Sequence, residues 1–205
     1  MILAARRKQG FTLIEMMVTL AVIVVLLLVA IPSFQAFRQR AALRAGSEQV
    51  LAIWNQSRME AAKRNSPVKF SRTVGSGNYC VGARVATSST DTSGCDCTIT
   101  DTTSSSYCDV ARWPSSSAAA DQAEWSRVSL AAPSAATDLA TAVIEPKHLI
   151  LGASGQAGSF ALLGPSGRKQ YKLYLEIDGM GRAVLCQPTD AVDKMSDYGA
   201  RGCVP

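Results

Sequence analysis

Residues 11–31, FTLIEMMVTLAVIVVLLLVAI, form a 21-residue run of apolar positions interrupted only by Thr12, Glu15 and Thr19. At 1.5 Å per residue a helix of that length spans roughly 30 Å, the thickness of a bilayer core. A secretory signal peptide would have a shorter apolar stretch, about 7–15 residues. After Pro32 the pattern turns amphipathic, with Phe34, Phe37, Ala41, Ala45, Val50, Leu51, Trp54 and Ala61 recurring at near-helical spacing. Pro67 ends it, because proline biases the preceding Ser66 out of the helical region. The pattern predicts one helix from Phe11 to about Asn65, roughly 80 Å long, with Pro32 as the place for a kink. Its Phe34, Phe37 and Trp54 stripe is expected to pack on a globular domain.

From residue 67 onward the period changes. Short stretches enriched in β-branched and aromatic residues occupy about 67–73, 78–86, 142–151, 159–163, 170–178 and 182–187. Tyr171 to Ile177 alternates as a half-buried strand should, and Asp178, Gly179 and Gly181 supply a turn before Arg182-Ala183-Val184-Leu185. The Ser/Thr-rich segment 87–106, the serine and alanine run from Ser115, and 131–142 read as loops. The expected fold class is α+β, a long N-terminal helix on a small antiparallel sheet. The expected organisation is a leader (1–10), a membrane or filament-core helix (11–31), an amphipathic helix (32–66) and a β-rich domain (67–205).

Composition narrows the function. Apolar residues at 47% and charged residues at 18% exclude a disordered tail. The single histidine, His148, excludes machinery built on several imidazoles, and it has no motif around it. The serines lack a nucleophile elbow, the aspartates lack metal-ligand spacing, and Gly164-Pro165-Ser166-Gly167 lacks a phosphate-loop lysine and reads as a turn. No enzyme, metal or cofactor is therefore expected. Asn55-Gln56-Ser57 is a sequon on a helix and is read as chance. The formal net charge of +5 suggests nucleic acid at first sight. Partitioned, the leader holds +3 through Arg6, Arg7 and Lys8, residues 11–31 hold −1 through Glu15, residues 32–66 hold +4, and residues 67–205 hold −1. The basicity is thus a leader that should remain cytoplasmic and a stem beside the apolar helix.

Glu15 is the position a plain anchor does not explain, because a carboxylate in a membrane segment costs a few kcal/mol and marks a functional site. The string Lys8-Gln9-Gly10-Phe11-Thr12-Leu13-Ile14-Glu15 resembles the prepilin signal of type IV pilins and type II secretion pseudopilins. Pro32 falls where many type IV pilins carry a helix-kinking proline. The resemblance implies cleavage between Gly10 and Phe11 by a prepilin peptidase, N-methylation of Phe11, and pairing of Glu15 with the terminal amine of a neighbouring subunit. It further implies major and minor pilins and an inner-membrane assembly platform as partners. The location implied is the inner membrane, with the C-terminal domain periplasmic, and then the filament. Residues 179–186, GMGRAVLC, are similar to the closing hairpin of minor pilins of the FimT/FimU type and of the related H-type pseudopilin GspH. DNA-binding members carry a G-R-x-R pattern; Gly181 and Arg182 match it, and Val184 stands at the second arginine. The function expected is therefore a minor pilin that helps assemble or prime a pilus. The alternatives are an H-type pseudopilin, or a DNA-uptake pilin using Arg168, Lys169, Lys172, Arg182 and Arg201.

Six cysteines point to an oxidising compartment. A Cys186–Cys203 bond would pin the tail to the last strand, much as the C-terminal disulfide loop of many type IV pilins does. If it forms, two connectivities remain for the others: Cys80–Cys95 with Cys97–Cys108, or Cys80–Cys97 with Cys95–Cys108. A four-cysteine zinc site is the rival reading, and the spacing lacks its paired C-x-x-C knuckles.

Overall fold

A computed structural model describes residues 11–74, 79–88, 91, 94–97, 99–113, 128–131, 141–147, 158–164, 169–189, 191–198 and 203. The chain divides into two compact units, Met1–Arg38 and Gln39–Pro205. In the first, the described residues are the start of helix α1 (Leu13–Arg64), which is continuous through Pro32 and enters the second unit. The predicted limits of Phe11 and Asn65 are each within two residues of those observed.

Both ends of α1 have a chemical stop. At the start, the Glu15 amide donates to Thr12 Oγ1 (3.3 Å) and the Thr12 amide donates to Glu15 Oε2 (3.1 Å), a reciprocal capping box. At the finish, Asn65 has φ 48°, its amide donates to the Ala62 carbonyl, and the Ser66 amide donates to the Ala61 carbonyl. This is a Schellman closure, with asparagine taking the left-handed position glycine usually fills. The chain therefore leaves the helix at Asn65, two residues before the proline that marks the end in the sequence.

Among the described residues eight strands follow: β1 (Val68–Val74), β2 (Tyr79–Val85), β3 (Ala111–Trp113), β4 (Ser129–Ala131), β5 (Thr141–Ile144), β6 (Gly158–Leu163), β7 (Lys172–Ile177) and β8 (Ala183–Cys186). They form two antiparallel four-stranded sheets, in the orders β3-β2-β1-β5 and β4-β6-β7-β8, where one small sheet is expected from the sequence. Two corrections concern the loop assignments, since the predicted loop 131–142 gives Ala131 to β4 and Thr141 and Ala142 to β5. The strand placed at 142–151 ends at Ile144, just before Pro146, which has no amide to donate to a ladder.

Within the second unit α1 buries Leu43, Gly46, Ser47, Val50, Ile53, Trp54, Ser57 and Ala61, a three-and-four stripe. The core is continuous with Val68, Phe70, Val81, Ala83 and Ile144 of the first sheet and Phe160, Leu162, Leu173, Leu175 and Ile177 of the second. Three aromatic rings link the layers edge-on: Trp54 to Phe70 (centroids 5.4 Å) and Phe70 to Phe160 (5.1 Å). The expected stripe is corrected here. Trp54 is fully buried, whereas Phe34 is 61% and Phe37 59% exposed, and Ala41 and Ala45 are also exposed. The buried face interleaves Leu43, Val50, Ile53 and Trp54 with the small Gly46, Ser47, Ser57 and Ala61, and at Gly46 the helix lies close: a Cβ there would sit 3.0 Å from Val128 Cγ2.

Candidate functional site

The N-terminal segment of α1 combines a carboxylate with uncovered apolar surface. Leu13, Ile14, Met16, Met17, Val18 and Leu20 are exposed, as are the large apolar residues from Val22 to Val29, so the apolar side chains of this segment present uncovered surface among the described residues. The helix is long and apolar enough to cross a membrane. At its head, Glu15 Oε2 accepts from both the amide and the hydroxyl of Thr12, each at 3.1 Å. The carboxylate thereby satisfies donors that begin a helix, next to the positive end of its dipole. Phe11, the residue before Thr12, is 81% exposed. In one chain, then, Glu15 is held on its own helix terminus by Thr12, the residue that follows Phe11. Gly10 lies outside the described residues. Thr12 is the partner the motif reading of Glu15 passed over, although the pattern Thr-x-x-Glu ahead of an apolar run is itself a capping-box signature.

The cysteines form three disulfides, Cys80–Cys97, Cys95–Cys108 and Cys186–Cys203, with Cα separations of 5.9, 5.2 and 5.1 Å. The second of the two open connectivities is the one present, and the zinc reading is overturned because all four of those thiols are consumed. Cys203 brings the tail back to the end of β8, where its amide donates to the Gln187 carbonyl.

The cations proposed for DNA do not converge among the described residues. Lys169 pairs with Asp193 (3.6 Å), and Lys172 lies over the Tyr174 ring (5.0 Å); both are near the start of β7. Arg182 stands in the turn beyond the far end of β7, about 17 Å further on at strand rise, where its Nε faces Asp178 Oδ2 (3.4 Å). Arg168 and Arg201, like His148, lie outside the described residues. The glycine-arginine pair has a clear packing role in its glycine. Gly181 takes φ 71°, a left-handed conformation that favours glycine, and its carbonyl accepts from the buried Trp54 Nε1 (3.0 Å). The Arg182 side chain is 78% exposed.

A second charged constellation went unread in the sequence. Lys69 (1% exposed) and Arg84 (8% exposed) are direct cross-strand partners on β1 and β2. Lys69 Nζ donates to the Asp91 carbonyl (2.9 Å) and Arg84 Nη2 to Asp91 Oδ2 (2.6 Å). Burial pushes the Lys69 ammonium below its usual pKa; the Asp91 charge opposes that shift and Arg84 adds to it. Only the apparent loop character of 87–106 pointed here, and it says nothing of what the loop covers.

No curated protein and no solved structure matches the chain. Residues 5–31 match the family model for the prokaryotic N-terminal methylation motif, which spans Gly10, Phe11, Glu15 and the apolar helix. With that match on the same segment as the Thr12–Glu15 cap and the uncovered apolar helix, the chain carries a type IV pilin-like prepilin signal.

Proposed function

We propose that this protein is a minor pilin, a non-enzymatic subunit that takes part in assembling or priming a type IV pilus. The observation that carries the reading is the methylation motif matched at residues 5–31, whose part from Leu13 onward is helical with its large apolar side chains exposed. In this account a prepilin peptidase cuts between Gly10 and Phe11 and Phe11 is methylated. The chain waits in the inner membrane with residues 39–205 on the periplasmic side. Assembly then moves the apolar helix from lipid into a bundle of like helices from other pilins, through the inner-membrane platform.

Glu15 selects the register of that transfer. A buried carboxylate is costly when unpaired, so a subunit fits where a neighbour's Phe11 ammonium meets it. Such head-to-tail contacts are heterologous and build an open filament. The Thr12 cap holds the carboxylate meanwhile. Two substitutions separate the charge from the cap, since glutamine fills the same capping position. Glu15→Gln and Glu15→Ala should both leave the protein in the membrane fraction, and both should lower its recovery in sheared pili at least tenfold. Full incorporation of Glu15→Gln would show that charge pairing is not how the subunit is selected.

A further inference from the structure

We propose that the described residues between Thr87 and Asp109 form a redox-latched cover over a cationic face of the first sheet. Strand alternation puts Lys69 and Ser71 of β1, Cys80, Gly82 and Arg84 of β2, and Arg112 of β3 on one face, opposite the face that Val68, Phe70, Val81 and Ala83 turn to the core. The residues of the cover bear Asp91, Asp96, Asp101 and Asp109 and no lysine or arginine, so an acidic segment lies on three cations.

The contacts are specific. Asp91 receives Lys69 and Arg84, Arg84 Nη1 donates to the Ser105 carbonyl (3.3 Å), and Arg112 Nη1 donates to the Ile99 carbonyl (3.0 Å) while its guanidinium lies over the Tyr107 ring (5.4 Å). The Cys95 amide donates to Ser71 Oγ (3.1 Å), joining the cover to the middle of β1.

What holds the cover down is sulfur. The buried apolar cluster beneath it consists of Cys80, Cys95, Cys97 and Cys108, separate from the main core. Two of its bonds, Cys80–Cys97 to the sheet and Cys95–Cys108 within the cover, make that cluster. Reduction by a dithiol transfers two electrons and two protons to each bond, giving two cysteine thiols and leaving the reductant as a disulfide. The crosslinks that limit the segment's freedom are then gone, and Lys69 and Arg84, like charges side by side, gain more from hydration than from a polar segment in which, among the described residues, only cysteines are buried. The cationic face is therefore open in the reduced chain and closed once both bonds form.

Acylation of lysines in the full-length, detergent-solubilised protein tests this, with sulfo-N-hydroxysuccinimide acetate as the probe and mass spectrometry as the readout. Lys63, exposed on α1, is the internal reference. In oxidised protein Lys69 should react at least tenfold more slowly than Lys63. After dithiothreitol its rate should rise to within about threefold of Lys63, while amide exchange in β6 and β7 stays slow. Lys69 remaining protected with all thiols free would overturn the proposal. So would loss of protection in step with β6 and β7, because the cover would then be part of the global fold. The Cys80→Ser/Cys97→Ser variant, read in the same way without reductant, should reproduce the exposure of Lys69.

Discussion

At the scale of single residues, Gly82 and Lys69 show how much of the first sheet depends on what lies over it. A Cβ at Gly82 would collide with Cys108 Sγ and stand 3.1 Å from Cys95 Sγ, so β2 needs a glycine where the Cys95–Cys108 bond passes. Gly82→Ala should prevent that bond from closing, giving two free thiols by mass spectrometry and a stability loss of about 3 kcal/mol in urea unfolding. Full oxidation with unchanged stability would show that β2 can shift to accept the methyl group. Lys69 is a buried cation whose pKa is lowered by desolvation, so between its folded pKa and 10.5 the unfolded chain binds more protons. Stability therefore rises with pH through that window. Unfolding free energies measured from pH 8 to 10 should show the wild type gaining relative to Lys69→Met, and a constant difference would refute the assignment.

Among the elements, α1 was the most legible and also gave the clearest misreading. Its length follows from an apolar run joined to an amphipathic one, and its stop from a proline signal lying two residues beyond the true cap. The face it buries followed in part: Val50, Trp54 and Ala61 are buried as their spacing predicts, whereas Phe34 and Phe37 are exposed and the small Gly46, Ser47 and Ser57 complete the face. Gly46→Leu should cost about 1–3 kcal/mol by overpacking against Val128, despite the better helix propensity of leucine. Asn65→Val should cost roughly 1–2 kcal/mol through the left-handed φ, with Asn65→Gly tolerated. Thermal melts of the three variants check the two contacts. The β7–β8 hairpin was readable from strict alternation and a glycine turn. Strands β3 and β4 were not, since three residues carry no period, and without them the division into two sheets is invisible. Cysteine spacing left two connectivities open, because Cys95 and Cys97 are nearly equidistant in sequence from either partner; only the placement of the segment over Ser71 and Gly82 separates them.

For the whole molecule, the processing signal could be read from consecutive residues, whereas the buried Lys69–Arg84–Asp91 cluster required the fold to bring its members together. The large apolar residues ahead of the second unit are spare surface by the same logic: Phe34 and Phe37 are exposed in one chain and available to another. Phe34→Ser/Phe37→Ser should leave unfolding of residues 39–205 within about 0.5 kcal/mol of wild type and lower recovery in pili. A loss of several kcal/mol would place those rings in the chain's own core after all. As proposed above, the chain is a prepilin matured at one bond and committed to a filament through its helix. The most direct measurement is mass spectrometry of the N-terminus after co-expression with a prepilin peptidase. A prepilin processed in this way yields a chain beginning at Phe11 with a single methyl group on its amine. A chain retaining residues 1–10, or cut anywhere else, would contradict it.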